Sequence, residues 1–275
     1  MTDQYAAIGN PISHSKSPQI HSAFAQETNQ DIHYGLIEGP IGKFKETIDE
    51  FRTNGAKGLN ITTPFKLDAF EYVDELSDGA KAAGAVNCMR FEADKVVGQN
   101  YDGVGLVRDI VENLGFPMSG KRVLLLGAGG ATRGLVRPFL GQSPAQFVIV
   151  NRTVSKAEQL ADMFSDLGEV QTSGYADLKD NAFDIVVNAT SASLRGEMPD
   201  LRAEAFGDGC LAYELSYAKG LTPFLQLAQS AGAGKLADGV GMLVEQAAEA
   251  FAWWRGMRPT TRDVIQAITV PLKSS

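Results

Sequence analysis

The segment Gly9-Asn10-Pro11-Ile12-Ser13-His14-Ser15-Lys16-Ser17-Pro18 places three serine hydroxyls at alternate positions. In an extended backbone Ser13, Ser15 and Ser17 share one side, so the row can face a carboxylate. The same spacing serves equally as turn chemistry ahead of Pro18, because serine hydroxyls bond readily to nearby backbone. A second segment, Asn60-Ile61-Thr62-Thr63-Pro64-Phe65-Lys66, supplies an amide, two hydroxyls and an ammonium, and Ala85-Val86-Asn87 adds another amide. Asn and Thr offer donor and acceptor together, as recognition of a polyhydroxylated ligand demands; singly, each also suits a loop or a cap. Taken alone, Lys66 reads as a surface residue and Asp102 as a helix N-cap.

Gly127-Ala128-Gly129-Gly130 follows the apolar run Arg122-Val123-Leu124-Leu125-Leu126 and precedes a helical pattern, the setting of a dinucleotide turn. Thr132 stands where the strict motif has its third glycine, and an ordinary strand-to-helix turn uses the same residues. The following strand ends in Asn151-Arg152-Thr153, and no Asp or Glu occurs from Ala131 through Ala157. A carboxylate at that strand end would bind the ribose hydroxyls of NAD. A guanidinium, an amide and a hydroxyl suit a 2′-phosphate instead, so NADP is the expected cofactor. The alternative is that Asn151 and Thr153 cap the next helix and Arg152 is solvated.

Short apolar runs alternate with helical patterns, which is the form of an α/β protein with mainly parallel sheets. Strands are predicted over 5–8, 58–61, 122–126, 146–150, 183–188 and 210–215. Helices are predicted over 18–27 with Ser17 as cap, 44–54, 76–83, 102–114, 131–140, 153–164, 240–254 and 261–270. The polar segments fall just beyond strand ends, where open α/β sheets place ligands. With 275 residues and 44% hydrophobic content the chain is long enough for two domains, their crossing along the helix that Asp102 opens. Net charge of -8 argues against a nucleic-acid surface. Cys88 and Cys210 have neither disulfide nor zinc spacing. Met1-Thr2-Asp3-Gln4-Tyr5 lacks a basic leader and no run reaches membrane-spanning length, so a cytoplasmic protein is expected.

With Asn100-Tyr101-Asp102-Gly103, Asn188-Ala189-Thr190-Ser191 and Asp238-Gly239-Val240-Gly241-Met242 added, the chain resembles the shikimate dehydrogenase family nearly end to end. The resemblance implies NADP-dependent interconversion of 3-dehydroshikimate and shikimate, toward aromatic amino acids. It also implies a substrate domain over 1–102, completed by 240–275, and a Rossmann NADP-binding domain over 103–239. Lys66 and Asp102 would be the catalytic pair, with Ser15 and Ser17 on the substrate carboxylate. Asn60, Thr62, Asn87 and Asp102 would address ring hydroxyls, joined by Tyr217 and Gln246. Gly127, Ala128, Gly129, Gly130 and Ala131 would hold the dinucleotide; Asn151, Arg152, Thr153 and Lys156 would clamp its 2′-phosphate. Thr190, Leu215, Gly239, Met242 and Asp78 would lie on the cofactor. The implied partner is the small-molecule substrate alone, without metal, nucleic acid or membrane, for a monomer or homodimer. Tyr101 departs from the family's usual Thr and is expected to point away from substrate, and Leu215 stands where Met is common. A quinate/shikimate dehydrogenase, often NAD-preferring, and a non-catalytic NADP-dependent sensor are the other readings. The Asn-Arg-Thr triad opposes the first, and the presence of both Lys66 and Asp102 opposes the second.

Overall fold

Apolar side chains in the first hundred residues alternate along short strands. The computed structural model, which describes residues 2–178, 182–217 and 220–272, gathers those strands into one sheet. The chain divides into two compact units, Met1–Gly105 with Val244–Gln266, and Leu106–Leu243 with Ala267–Ser275. In the first, β1 (Asp3–Gly9), α1 (Ser17–Glu27), β2 (Ile32–Glu38), α2 (Phe44–Thr53), β3 (Gly58–Ile61) and α3 (Lys66–Tyr72) are followed by β4 (Glu75–Leu76), α4 (Asp78–Ala83), β5 (Cys88–Phe91) and β6 (Val96–Gln99), and α5 (Asp102–Arg108) leads out. The sheet order is β2-β1-β3-β5-β6-β4. Ala6 and Ile8 turn to one face, packing with Leu59, Ile61, Phe44 and Phe65, while Tyr5 and Ala7 turn to the other.

This sheet is mixed, because β5 runs antiparallel to both β3 and β6; the connection over 92–95 is closed by a Glu92 N–H bond to the Lys95 carbonyl at 2.9 Å, too short for the crossover a parallel pair needs. Two expectations are corrected here. The helix predicted over 76–83 begins at Asp78, since Leu76 pairs with Gly98 and Ser77 caps the helix by accepting from the Ala80 N–H at 3.1 Å. Ser17 is the first residue of α1 rather than its cap, a place Lys16 takes.

The second unit contains β7 (Arg122–Leu126), α6 (Gly130–Leu140), β8 (Gln146–Val150), α7 (Val154–Asp162), β9 (Gln171–Ser173), β10 (Phe183–Asn188), β11 (Phe206–Glu214), α8 (Pro223–Ser230) and β12 (Lys235–Asp238). All pairs are parallel in the order β12-β11-β10-β7-β8-β9, the doubly wound arrangement with its switch point between β7 and β10. Leu124, Leu126, Val148, Val150 and Val186 are buried, as expected of strands covered on both faces.

Two helices end the chain, α9 (Val240–Arg255) and α10 (Arg262–Ile268). The units part inside α5 at 105/106 and inside α9 at 243/244, instead of at 102/103 and 239/240, and residues 267–272 cluster with the second unit rather than the first. The Trp254 indole N–H donates to the Met89 carbonyl at 2.9 Å, and its ring stacks on Tyr5 at 4.7 Å. Gly58 leaves room for that indole, since a Cβ there would lie 2.6 Å from Trp254 Nε1.

His21 on α1 is fully buried against the rings of Tyr34, Phe24, Phe251 and Trp254. Burial pushes its pKa down from 6.5 to about 3, against a smaller opposing contribution from Asn60. The unfolded chain takes up this proton below about pH 6.5 and the folded chain does not, so the stability is complete above that pH and is lost as pH falls toward the folded value. The loss is on the order of 5 kcal/mol. Urea midpoints are expected to decline through this window, and His21→Phe to flatten the decline; an unaltered slope would assign it to other groups.

Candidate active site

Lys66 opens α3 and Asp102 opens α5, and Lys66 Nζ lies 2.6 Å from Asp102 Oδ2. Their side chains are 31% and 15% exposed, so the pair is sheltered yet reachable. The Asn87 amide N–H donates to Asp102 Oδ1 at 2.9 Å, leaving both carboxylate oxygens engaged. Asn87 Oδ1 accepts from the Tyr101 N–H at 2.9 Å, and Asn100 Oδ1 accepts from the Asp102 N–H at 3.1 Å. The Val86 N–H donates to the Lys66 carbonyl at 3.0 Å, which ties the lysine's own backbone to the same segment. Gln246 joins from α9, its Oε1 3.4 Å from Asn87 Nδ2. An ammonium held by one carboxylate oxygen retains further N–H groups for a carbonyl oxygen.

The serine row is not extended. The Ser15 N–H bonds to the Ile12 carbonyl at 2.9 Å in a turn, which removes Ser13 from the row. Ser15 and Ser17 remain together, Ser15 Oγ donating to Ser17 Oγ at 3.1 Å. Asn60 is buried at the end of β3 and accepts from the Tyr34 hydroxyl at 2.7 Å. Thr62 is exposed just beyond β3, with its methyl so close to Gly9 that a Cβ there would lie 2.6 Å away. The Tyr101 ring packs edge-on against Trp253 at 6.2 Å, and burial raises its phenol pKa. Asp78 is exposed at the start of α4, next to Gly79, whose Cβ position lies 3.5 Å from the Asn100 carbonyl.

In the second unit a cleft of about 800 Å³ is walled by residues 127–131, Asn151, Arg152 and 189–192. Gly127 has φ of 103°, and a Cβ on it would press the Thr190 methyl at 3.1 Å. Nothing lies within 4 Å of a Cβ placed on Gly129 or Gly130, so the N-terminus of α6 meets open space suited to a pyrophosphate. Asn151 braces the turn, accepting from the Ala128 N–H at 3.2 Å and donating to the Thr153 carbonyl at 2.8 Å. Thr153 holds the N-cap position of α7 without a side-chain cap bond; it and Lys156 are exposed and are not part of the cleft wall.

Sequence reasoning missed Tyr175, Asp177, Arg195, Glu197 and Asp200 in that wall. Arg195 pairs with Glu197 at 2.8 Å and donates to Ser191 Oγ at 3.0 Å. Burial raises the Tyr175 phenol to about 12. None of these carries a local motif; β9 and the loop after β10 deliver them. Glu214 was also missed. It is fully buried at the end of β11 and accepts from Asn188 Nδ2 at 2.9 Å, Thr222 Oγ1 at 3.2 Å, the Ser216 N–H at 3.2 Å and the Ser193 hydroxyl.

Leu215 and Gly239 meet beyond β11, with Met242 in the first turn of α9. The Leu215 N–H bonds to the Asn188 carbonyl at 3.1 Å and the Gly239 N–H to the Ser216 carbonyl at 3.3 Å. The Met242 N–H bonds to the Tyr213 hydroxyl at 3.2 Å, and that hydroxyl donates to Asp109 Oδ2 at 2.7 Å. Tyr217 belongs to this unit and is half-buried, which raises its pKa; Ser15, Ser17, Asn60, Thr62, Asn87 and Gln246 belong to the other. Among the described residues there is no cluster able to hold a metal ion and no helix long and apolar enough to cross a membrane.

A doubly wound parallel sheet with a glycine turn at its switch point, joined in one chain to a unit bearing a lysine–carboxylate pair, defines a dehydrogenase of the Rossmann class. Family models for the shikimate dehydrogenase substrate binding domain, shikimate / quinate 5-dehydrogenase and the shikimate 5′-dehydrogenase C-terminal domain match residues 7–89, 107–195 and 239–269. The shikimate dehydrogenase (NADP(+)) of Chromobacterium violaceum is 59% identical over 96% of this chain and 97% of its own. An Ael1 enzyme from Pseudomonas putida superposes with a TM-score of 0.96 at 55% identity, covering 98% of this chain and 100% of that one. Thermus thermophilus shikimate 5-dehydrogenase, solved with NADP(H) and shikimate, gives 0.84 at 29% identity over 96% and 98% of the two chains. The chain belongs to the shikimate dehydrogenase family.

A Cβ on Gly239 would overlap the Leu215 carbonyl oxygen. Because backbone on both sides must move, Gly239→Ala is expected to cost about 1–3 kcal/mol. A thermal melt within a degree of wild type would show that this turn yields freely.

Proposed function

We propose that this chain is an NADP-dependent shikimate dehydrogenase, reversibly reducing 3-dehydroshikimate to shikimate for aromatic amino acid synthesis. The observation that carries the reading is the Lys66–Asp102 contact, with Asn87 holding the second carboxylate oxygen. The relative from Chromobacterium violaceum bears that activity in its name, and the Thermus thermophilus structure holds NADP(H) and shikimate. The first unit takes the substrate and the second takes NADP. The protein acts in the cytoplasm as a monomer or homodimer.

Bound NADPH supplies the hydride. The chain's own task is the oxygen of the substrate carbonyl. Lys66 donates to it through Nζ–H, stabilising the negative charge that develops, and passes a proton from Nζ so that the oxygen, still bonded to its carbon, becomes the hydroxyl of the product. Asp102 Oδ2 aims the ammonium, and Oδ1, set by Asn87, addresses the neighbouring ring hydroxyl. Ser15 and Ser17 donate to the substrate carboxylate, while Asn60, Thr62, Asn87, Gln246 and Tyr217 contact the ring and its hydroxyls. On the cofactor side, residues 127–131 receive the pyrophosphate, and Arg152 with Asn151, Thr153 and Lys156 receives the 2′-phosphate. Thr190, Leu215, Gly239, Met242 and Asp78 lie toward the nicotinamide.

Lys66→Ala is expected to lower kcat for NADPH oxidation with 3-dehydroshikimate by orders of magnitude while leaving NADPH affinity nearly intact. Asp102→Asn is expected to be similarly impaired, and the double variant far from additive; near-normal turnover in either would remove the pair from the chemistry. Arg152→Ala is expected to raise KM for NADP roughly ten- to a hundredfold and KM for NAD hardly at all, since only NADP offers the phosphate. Equal losses for both would make Arg152 a structural residue.

A further inference from the structure

The edge strand β2 buries one side chain, Tyr34, which lies opposite Tyr5 in the sheet register. Its hydroxyl donates to Asn60 Oδ1 at 2.7 Å, and the Asn60 amide N–H donates in turn to the Asn87 carbonyl at 3.5 Å. A phenol has one proton, and an amide oxygen can only accept. With that proton committed to Asn60, the bonds run in one direction from Tyr34 through Asn60 to the Asn87 carbonyl. The phenol keeps its proton, because burial raises its pKa well above the ordinary value. The ring cannot swing away, since the His21 imidazole stacks on it at 4.1 Å with 7° between planes.

Resting on the reading of Asn60 as a substrate contact, we propose that Tyr34 is a positioning residue that sets which end of the Asn60 amide is offered to the substrate. By occupying Asn60 Oδ1 it turns the amide so that the –NH2 group, one hydrogen of which goes to the Asn87 carbonyl, is the end with a hydrogen left for a ligand hydroxyl. A buried tyrosine that served packing alone would not discriminate between the two ends of the Asn60 amide.

Purified full-length Tyr34→Phe keeps the ring stack and loses only the hydroxyl. It is expected to raise KM for 3-dehydroshikimate about tenfold, the worth of one buried hydrogen bond, with KM for NADPH, kcat and melting temperature near wild type. Asn60→Ala is expected to raise the same KM, and Tyr34→Phe with Asn60→Ala to be no worse than Asn60→Ala alone. Asn60→Asp, which can still accept from Tyr34 but presents no –NH2, is expected to behave like Asn60→Ala and serves if Tyr34→Phe folds poorly. Additive losses in the double variant, or a normal KM in Asn60→Asp, would overturn the inference. A normal KM in Tyr34→Phe beside a raised one in Asn60→Ala would overturn it while leaving the substrate reading intact. A normal KM in Asn60→Ala would remove Asn60 from the substrate site and the inference with it.

Discussion

The carboxylate of Asp102 has to be held against an ammonium and still remain within reach of solvent, and the first unit is arranged around that demand. One amide does most of the holding. Asn87 spends its oxygen on the Tyr101 N–H and its nitrogen on Asp102, so the residue that fixes the backbone ahead of α5 also fixes the carboxylate on its first turn. Its backbone is bound on both sides, N–H to the Gln99 carbonyl and carbonyl from the Ile61 N–H, each at 2.9 Å. The sheet itself therefore sets where the amide stands, and the amide sets where the charge stands. A buried polar network is an asset when every member is satisfied, and the orientation of the pair follows from the satisfaction of Asn87.

The second unit answers a different constraint, the close approach of backbone to backbone and to a phosphate. Gly127 and Gly239 are the places where a side chain would strike the Thr190 methyl and the Leu215 carbonyl, so both turns are shaped by what glycine lacks. The loop carrying Thr190 is secured from behind by Glu214. A fully buried carboxylate is costly unless its oxygens are bonded, and here four donors, drawn from positions 188, 193, 216 and 222, converge on it. That convergence binds the loops after β10 and β11 to one another.

Much of this was legible in the sequence. β7, β8 and β10 begin and end where the apolar runs do, because strands buried on both faces leave an unbroken hydrophobic record. The edge strand β2 was missed, since only Tyr34 of its seven residues is buried and the run Ile-His-Tyr-Gly-Leu-Ile-Glu has no clear alternation. Leu76 of β4 was read as helix because a strand of two residues carries no period at all.

The residue types alone determined the chemistry on offer: hydroxyls and amides for a polyol, an ammonium and a carboxylate for a proton, glycines and a guanidinium for a phosphorylated dinucleotide. These are properties of side chains and short spacings, and they survive without coordinates. Which of them meet was decided only in three dimensions. The contact from Lys66 to Asp102 spans 36 positions and that from Asn87 to Gln246 spans 159. The absence of acidic residues near Arg152 in sequence did not keep Asp177, Glu197 and Asp200 out of the same cleft wall. Nor could any local pattern mark Tyr34, His21 or Glu214, whose roles rest on burial and on hydrogen bonds between distant segments. Periodicity records which face of an element is apolar; it holds no record of which polar atoms the folded sheet brings within 3 Å of one another.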